Sequence, residues 1–179
     1  KKTMLIGDQS WVYPLSDWTN GGSPFFSVGN LTVSTTNSGI SADSGGFRGG
    51  HAGHYAGYGP GFGGSSGSGS GGGGGYGGPG GTYGGGLGGS TYGFTNTPVD
   101  PGSGGGALAT GGRGGGLVRI EAANAISLDG TLSANGGSEG TWHEGGGSGG
   151  GIYVRCRTLS GNTGTLAARG GDGETGTSG

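Results

Sequence analysis

Gly130-Thr131-Leu132-Ser133-Ala134-Asn135-Gly136-Gly137 decides the fold, because the chain writes this pattern three times. Gly164-Thr165-Leu166-Ala167-Ala168-Arg169-Gly170-Gly171 follows it by 34 residues, and Gly39-Ile40-Ser41-Ala42-Asp43-Ser44-Gly45-Gly46 stands upstream. Each copy comes after an alternating run: Val28 to Val33, Leu117 to Ala122, and Ile152 to Cys156. Side chains alternate along a strand with a period of two. Leu31 with Val33, Val118 with Ile120, and Ile152 with Val154 therefore share one face, and Asn30, Thr32, Arg119, Glu121, Tyr153 and Arg155 take the other. The unit reads as strand, turn, second strand and glycine-rich return, over residues 27–46, 117–137 and 152–171. One such unit buries too little by itself, so neighbours must stack to close a thin apolar seam.

Between the first two units lies a glycine-rich insertion, residues 47–116. With 58 Gly in 179 residues and 27% hydrophobic residues, against a globular norm of roughly 45–50%, a large conventional core is excluded. Disorder, the usual companion of such poverty, also expects high net charge, and here the formal value is −2. A glycine tract that folds must saturate its amides, since fixing each backbone costs about 1–2 kcal/mol. Without Cβ atoms, extended chains can approach until amides bond between them and Cα–H groups meet carbonyls. The natural conformer is the threefold polyproline-II-like helix, which has no internal hydrogen bonds and so requires lateral neighbours. Gly53, Gly57, Gly59, Gly61 and Gly63 break the every-third-residue rule of collagen. Thr95 to Pro101 is a rigid turn signal that reverses the glycine passes.

The expected fold is thus mostly β and irregular: stacked strand units, solenoid- or sandwich-like, combined with a bundle of polyglycine II helices and little or no α-helix. Residues 27–179 form one glycine-rich repeat domain. Residues 1–26 differ, carrying Trp11, Tyr13, Trp18, Phe25 and Phe26, and read as an aromatic cap or subunit-contact segment.

Little catalytic chemistry can be assembled. The eight basic residues are scattered, where nucleic-acid binding needs them clustered. Cys156 is the single cysteine, so no internal disulfide forms, and its alternation with Ile152 and Val154 makes it a small buried apolar side chain. No apolar run spans a bilayer, and the first six residues are too short for a signal peptide, so an exported protein is expected here in its mature form. His51 and His54 invite a metal, yet three residues on a threefold helix lie roughly 9 Å apart by its rise. Without a turn they could not converge on one ion about 2 Å from each nitrogen, so they read as surface or packing histidines. Asp129, Glu139, Asp172 and Glu174 are too spread to pair for hydrolysis, and Gly170 to Thr175 puts threonine where the calcium-binding nonapeptide needs aspartate. Trp142-His143-Glu144 reads as a lid over the seam or a sugar-stacking aromatic. Asn30-Leu31-Thr32 has the form of a glycosylation sequon, making Asn30 a candidate glycan site. No enzyme activity, cofactor or metal is expected.

The recurring glycine, Ile or Leu, Ser or Ala, Ala block, with Gly-Gly-Gly-Ser-Gly-Gly-Gly-Ile-Tyr-Val at 145–154, resembles the glycine-rich repeats of large exported bacterial surface proteins over residues 27–179. The polyglycine stretches also resemble the tail-fibre tip adhesins of T-even-type phages, and the bundle idea is shared with glycine-rich springtail antifreeze proteins. These resemblances imply an extracellular or cell- or virion-surface location. The expected role is a structural subunit of an extracellular filament or surface layer, self-assembling through open strand and polyglycine ends with copies of itself, and the segment Gly170 to Gly179 is expected to be continued by a neighbour. The alternative is an adhesin binding a surface glycan or outer-membrane receptor through loops 50–58, 92–101 and 141–144, with Tyr55, Tyr58 and Trp142 as contacts.

Overall fold

A computed structural model describes residues 2–67, 69–138 and 143–173. Among them are eleven short β-strands and no helix, as the composition predicts: β1 Thr3–Ile6, β2 Trp11–Val12, β3 Phe26–Val28, β4 Asn30–Val33, β5 Gly39–Ser41, β6 Leu117–Ala122, β7 Ala125–Leu128, β8 Thr131–Ser133, β9 Gly151–Arg155, β10 Thr158–Ser160 and β11 Thr165–Ala167. All pairings between them are parallel, in three sheets ordered β1-β4-β7-β10, β2-β5-β8-β11 and β3-β6-β9. Consecutive strands belong to different sheets. Three strands therefore make one circuit, and each circuit lays one strand on every sheet.

Equivalent residues line up in columns from tier to tier. Met4, Leu31, Ile126 and Leu159 form one, through the pairings of β1, β4, β7 and β10. Val12, Ile40, Leu132 and Leu166 form a second, and Phe26, Ile120 and Val154 a third. Leu31, Ile40, Ile120, Ile126 and Leu132 are at most 1% exposed, so the apolar interior is a set of side-chain ladders running along the stack. Parallel strands covered on one face by their own circuit can stay this short because each ladder is continued by the tier above.

Two features of the repeat differ from the sequence reading. The unit has three strands, because β7 and β10, too short to declare an alternation, join β1 and β4 as a third side. Val28 to Val33 is broken at Gly29 into β3 and β4, which join different sheets, so β6 pairs with Phe26–Val28 and not with the run that holds Leu31. Residues 1–26, which lack the repeat, contribute β1 and β2 as a further partial tier, with Ile6 buried and Leu5 facing out. Polar side chains clamp the tiers at the corners. Asp43 Oδ1 accepts the Asn135 N–H at 2.6 Å, and Asn135 Oδ1 accepts the Arg169 N–H at 2.9 Å.

The glycine-rich passes lie side by side, and their amides are bonded to one another. The N–H groups of Gly102 and Gly105 donate to Gly115 and Gly112, those of Gly111 and Gly114 to Gly50 and Phe47, and those of Gly112 and Gly115 to Gly145 and Ser148, all between 2.7 and 2.9 Å. Gly145 and Ser148 then donate to Gly106 and Ser103. Each pass meets a given neighbour at every third residue. A Cβ on Gly105 would land on the carbonyl of Gly145, and one on Gly114 on that of Gly102, which is why side chains are missing here.

Candidate functional site

Three surfaces gather the aromatic and apolar residues that the sequence offers for contact. The first is built by the edge of the bundle. Asp17 Oδ1 accepts N–H bonds from Thr19 and Asn20 and the Thr19 hydroxyl, and the Asn20 amide leads the causes that hold its carboxyl below the usual range. That turn presents Trp18. Its carbonyl accepts from Arg48 N–H at 3.2 Å, the Arg48 carbonyl from Tyr58 N–H at 2.8 Å, and the Tyr58 carbonyl from Gly104 N–H at 3.0 Å. A chain of amides thus places Trp18, Arg48 and Tyr58 side by side. The Trp18 and Tyr58 rings meet edge to face at 5.8 Å, and the Arg48 guanidinium sits 5.5 Å over Trp18.

His51 and His54 complete this cluster. His54 stacks on Tyr58 at 4.5 Å, His51 lies nearly parallel to Tyr58 at 6.2 Å, and the imidazoles are 5.8 Å apart. Beneath the patch, Phe47 is buried against Gly21 (φ +81°) and Gly59 (φ +98°), where any Cβ would enter its ring. Trp18 from the aromatic segment and Tyr58 from the predicted loop therefore belong to one patch. Arg48, which the sequence gives no reason to single out, is what joins them. Tyr55 stands beside it, 45% exposed.

The second surface is the outer face of the β2-β5-β8-β11 sheet. Trp11 and Tyr13 stack at 6.5 Å and 22° at one end of a shallow groove of about 310 Å³ that continues past Ser41, Asp43, Ser133 and Asn135. Gly39 leaves space for the Trp11 ring, since a Cβ there would come 2.8 Å from Cζ3. Phe25 and Phe26 separate: Phe25 is capped by the Arg119 guanidinium at 4.7 Å, whereas Phe26 packs on the core.

The third is the outer side of the last tier. No described strand lies beyond β9, β10 and β11. Leu159 and Leu166 are 57% and 54% exposed although Ile126 and Leu132 below them are fully buried. Cys156 is half-buried against the core, one residue past β9.

The remaining candidates divide. Asn30 is half-buried in β4, where Nδ2 donates to Thr3 Oγ1 at 3.4 Å and Oδ1 accepts the Ala125 N–H at 3.3 Å. Trp142, Glu139 and Glu174 lie outside the described residues. Glu144 is buried, with Oε1 accepting the Thr110 N–H at 2.9 Å and Oε2 without a hydrogen-bond partner among the described residues. In the 92–101 loop Tyr92 turns inward: its hydroxyl donates to the Pro101 carbonyl and accepts from Ser103, while Phe94 projects 69% exposed. Burial drives the Tyr92 phenol upward, and burial with the Asp100 charge pushes Tyr76 up to about 12. Among the described residues, no three His, Cys, Asp or Glu side chains converge as a metal cluster, and no helix is long and apolar enough to cross a membrane. No family model, curated relative or solved structure matches the chain.

Proposed function

We propose that this chain is a structural subunit of an extracellular filament or surface layer, in which β-solenoid tiers and a polyglycine II bundle grow together by stacking further copies on their strand edges. The observation that carries this reading is the uncovered end of the two apolar ladders, Leu159 and Leu166. An edge strand that carries exposed leucines is a template for another strand of the same period. The column positions that Leu159 and Leu166 occupy are filled in every lower tier by apolar side chains, so a second copy offering Met4 and Val12 would continue both ladders. Such an end-to-end contact is heterologous and does not close, which gives a fibre.

Electron microscopy and sedimentation over a dilution series test it. Filaments that shorten and disappear in a Leu159→Lys, Leu166→Lys double variant are the expected result, and discrete monomers of the unaltered chain at every concentration overturn the proposal.

A second reading, an adhesin for a surface glycan or receptor, is favoured by the gathering of Trp18, Tyr55 and Tyr58 with Arg48 at one exposed edge. Attachment measured on glycan arrays and on cells decides it. If alanine at Trp18, Tyr55 and Tyr58 leaves attachment unchanged, this patch is not the contact.

A further inference from the structure

We infer that His51 and His54 form a binding site for a single divalent transition-metal ion of the imidazole-preferring class, Cu²⁺, Ni²⁺ or Zn²⁺. The inference is independent of filament assembly and of glycan attachment.

The backbone makes the pair. His51 N–H donates to the His54 carbonyl and His54 N–H to the His51 carbonyl, both at 2.8 Å, which closes a two-residue turn through Ala52 and Gly53. Gly53 takes φ +86° at the third position of this turn, a backbone conformation that glycine adopts without penalty. On an extended threefold pass the two side chains would be separated by three residues of rise. Folded across the turn, they face each other with ring centroids 5.8 Å apart and planes inclined by 25°.

The ring nitrogens are already sorted for coordination. His51 Nδ1 lies 3.0 Å from the Ala52 carbonyl and His54 Nδ1 lies 2.9 Å from the Ala56 carbonyl. A carbonyl oxygen can only accept, so each Nδ1 carries the proton and each Nε2 keeps the lone pair. This is the arrangement by which a backbone carbonyl fixes the tautomer and ring orientation of a metal-binding histidine. His51 Nε2 has one competing contact, the Tyr58 hydroxyl at 3.4 Å, which is long for a hydrogen bond and easily given up. His54 is exposed, and ring centroids 5.8 Å apart lie within the span of two imidazoles that share one ion about 2 Å from each Nε2. No carboxylate or thiolate completes the set among the described residues. Two neutral nitrogens with water in the remaining positions select borderline ions, with Cu²⁺ the tightest of the divalent series.

Calorimetric titration of the full chain with CuCl₂, NiCl₂ and ZnCl₂, in a Cys156→Ser background that removes the competing thiol, tests the site. The expected result is one equivalent bound, with Cu²⁺ tightest, and quenching of Trp18 and Tyr58 fluorescence by Cu²⁺ at the same stoichiometry. His51→Ala and His54→Ala should each weaken binding roughly tenfold or more, since even the supporting groups of a metal site are felt on that scale. His51→Gln and His54→Gln, which keep a polar side chain on the turn, should do the same, and His143→Ala should leave binding unchanged. Binding at wild-type affinity in the single variants, binding lost in His143→Ala, or no binding of any of the three ions overturns the inference.

Discussion

The strand stack and the glycine bundle are built by one chain and cohere by opposite means. In the stack, side chains do the work: Leu31, Ile126, Ile40 and Leu132 interlock in ladders from which water is excluded, and the backbone pairs behind them. In the bundle there is almost nothing to bury, and the passes hold together through amides that meet a neighbour at every third residue. The comparison teaches that removing atoms damages the first region and adding atoms damages the second. Gly105 and Leu132 both hold the fold together, although one has no side chain.

The sharpest break of that comparison lies within a single column. Leu132→Ala should lower stability by about 2–5 kcal/mol, as truncation in a packed core does. Leu166→Ala, one tier on and half exposed, should cost roughly 0.5 kcal/mol or less in the dissociated chain. Urea unfolding of both variants measures the difference, and equal costs would mean that the ladders are not the source of cohesion. In the bundle, Gly105→Ala should cost about 1–3 kcal/mol, because the added methyl meets the Gly145 carbonyl and a backbone cannot turn aside as a side chain can. Thermal unfolding with amide exchange at neighbouring glycines reads it, and a neutral result would show that the passes lie further apart.

Within the bundle, Ser103 Oγ accepts the Gly61 N–H at 3.0 Å and donates to Tyr92. Ser103→Ala strands that buried amide and should cost about 1–3 kcal/mol, again by urea unfolding. Tyr76 gives the smallest effect and an opposite sign. Its hydroxyl is buried without a partner, so Tyr76→Phe should be neutral or stabilise by up to about 1 kcal/mol. It should also alter the alkaline limit. A phenol whose folded pKa is raised contributes stability that is complete below its unfolded value of about 10 and is lost as pH rises through about 12. Tyr92 shifts in the same direction. Urea midpoints from pH 9 to 12 should therefore fall less steeply in Tyr76→Phe, and a parallel fall would show that Tyr76 ionises as freely folded as unfolded.

Much of the β character was legible because Val118 and Ile120, or Leu31 and Val33, alternate visibly and one block recurs three times. The three-sided circuit was not, since β7, β8, β10 and β11 are three or four residues long and a period of two cannot be read from so few positions. The first tier was hidden for a related reason: Thr3 to Ile6 and Trp11 to Val12 pair with β4 and β5 while sharing none of the repeat's glycines. The aromatic candidates could be collected from composition, but Trp18 and Tyr58 are forty residues apart in sequence. Only the hydrogen bonds running Trp18, Arg48, Tyr58 and Gly104 bring them into one patch. The turn that brings His51 and His54 face to face is not legible in the sequence. Gly53 could have signalled a turn, but in a tract so rich in glycine one more carries no weight.

By itself, the sequence determined that this protein has no large core, that its apolar residues recur at strand spacing, and that its glycine passes must bond laterally, because a residue without Cβ has nothing but its amide to contribute. Tertiary structure alone decided which strand lies on which sheet, that Leu159 and Leu166 stand exposed over buried Ile126 and Leu132, and that His51 and His54 face each other. Those outcomes depend on contacts between residues distant along the chain, and no local periodicity records them.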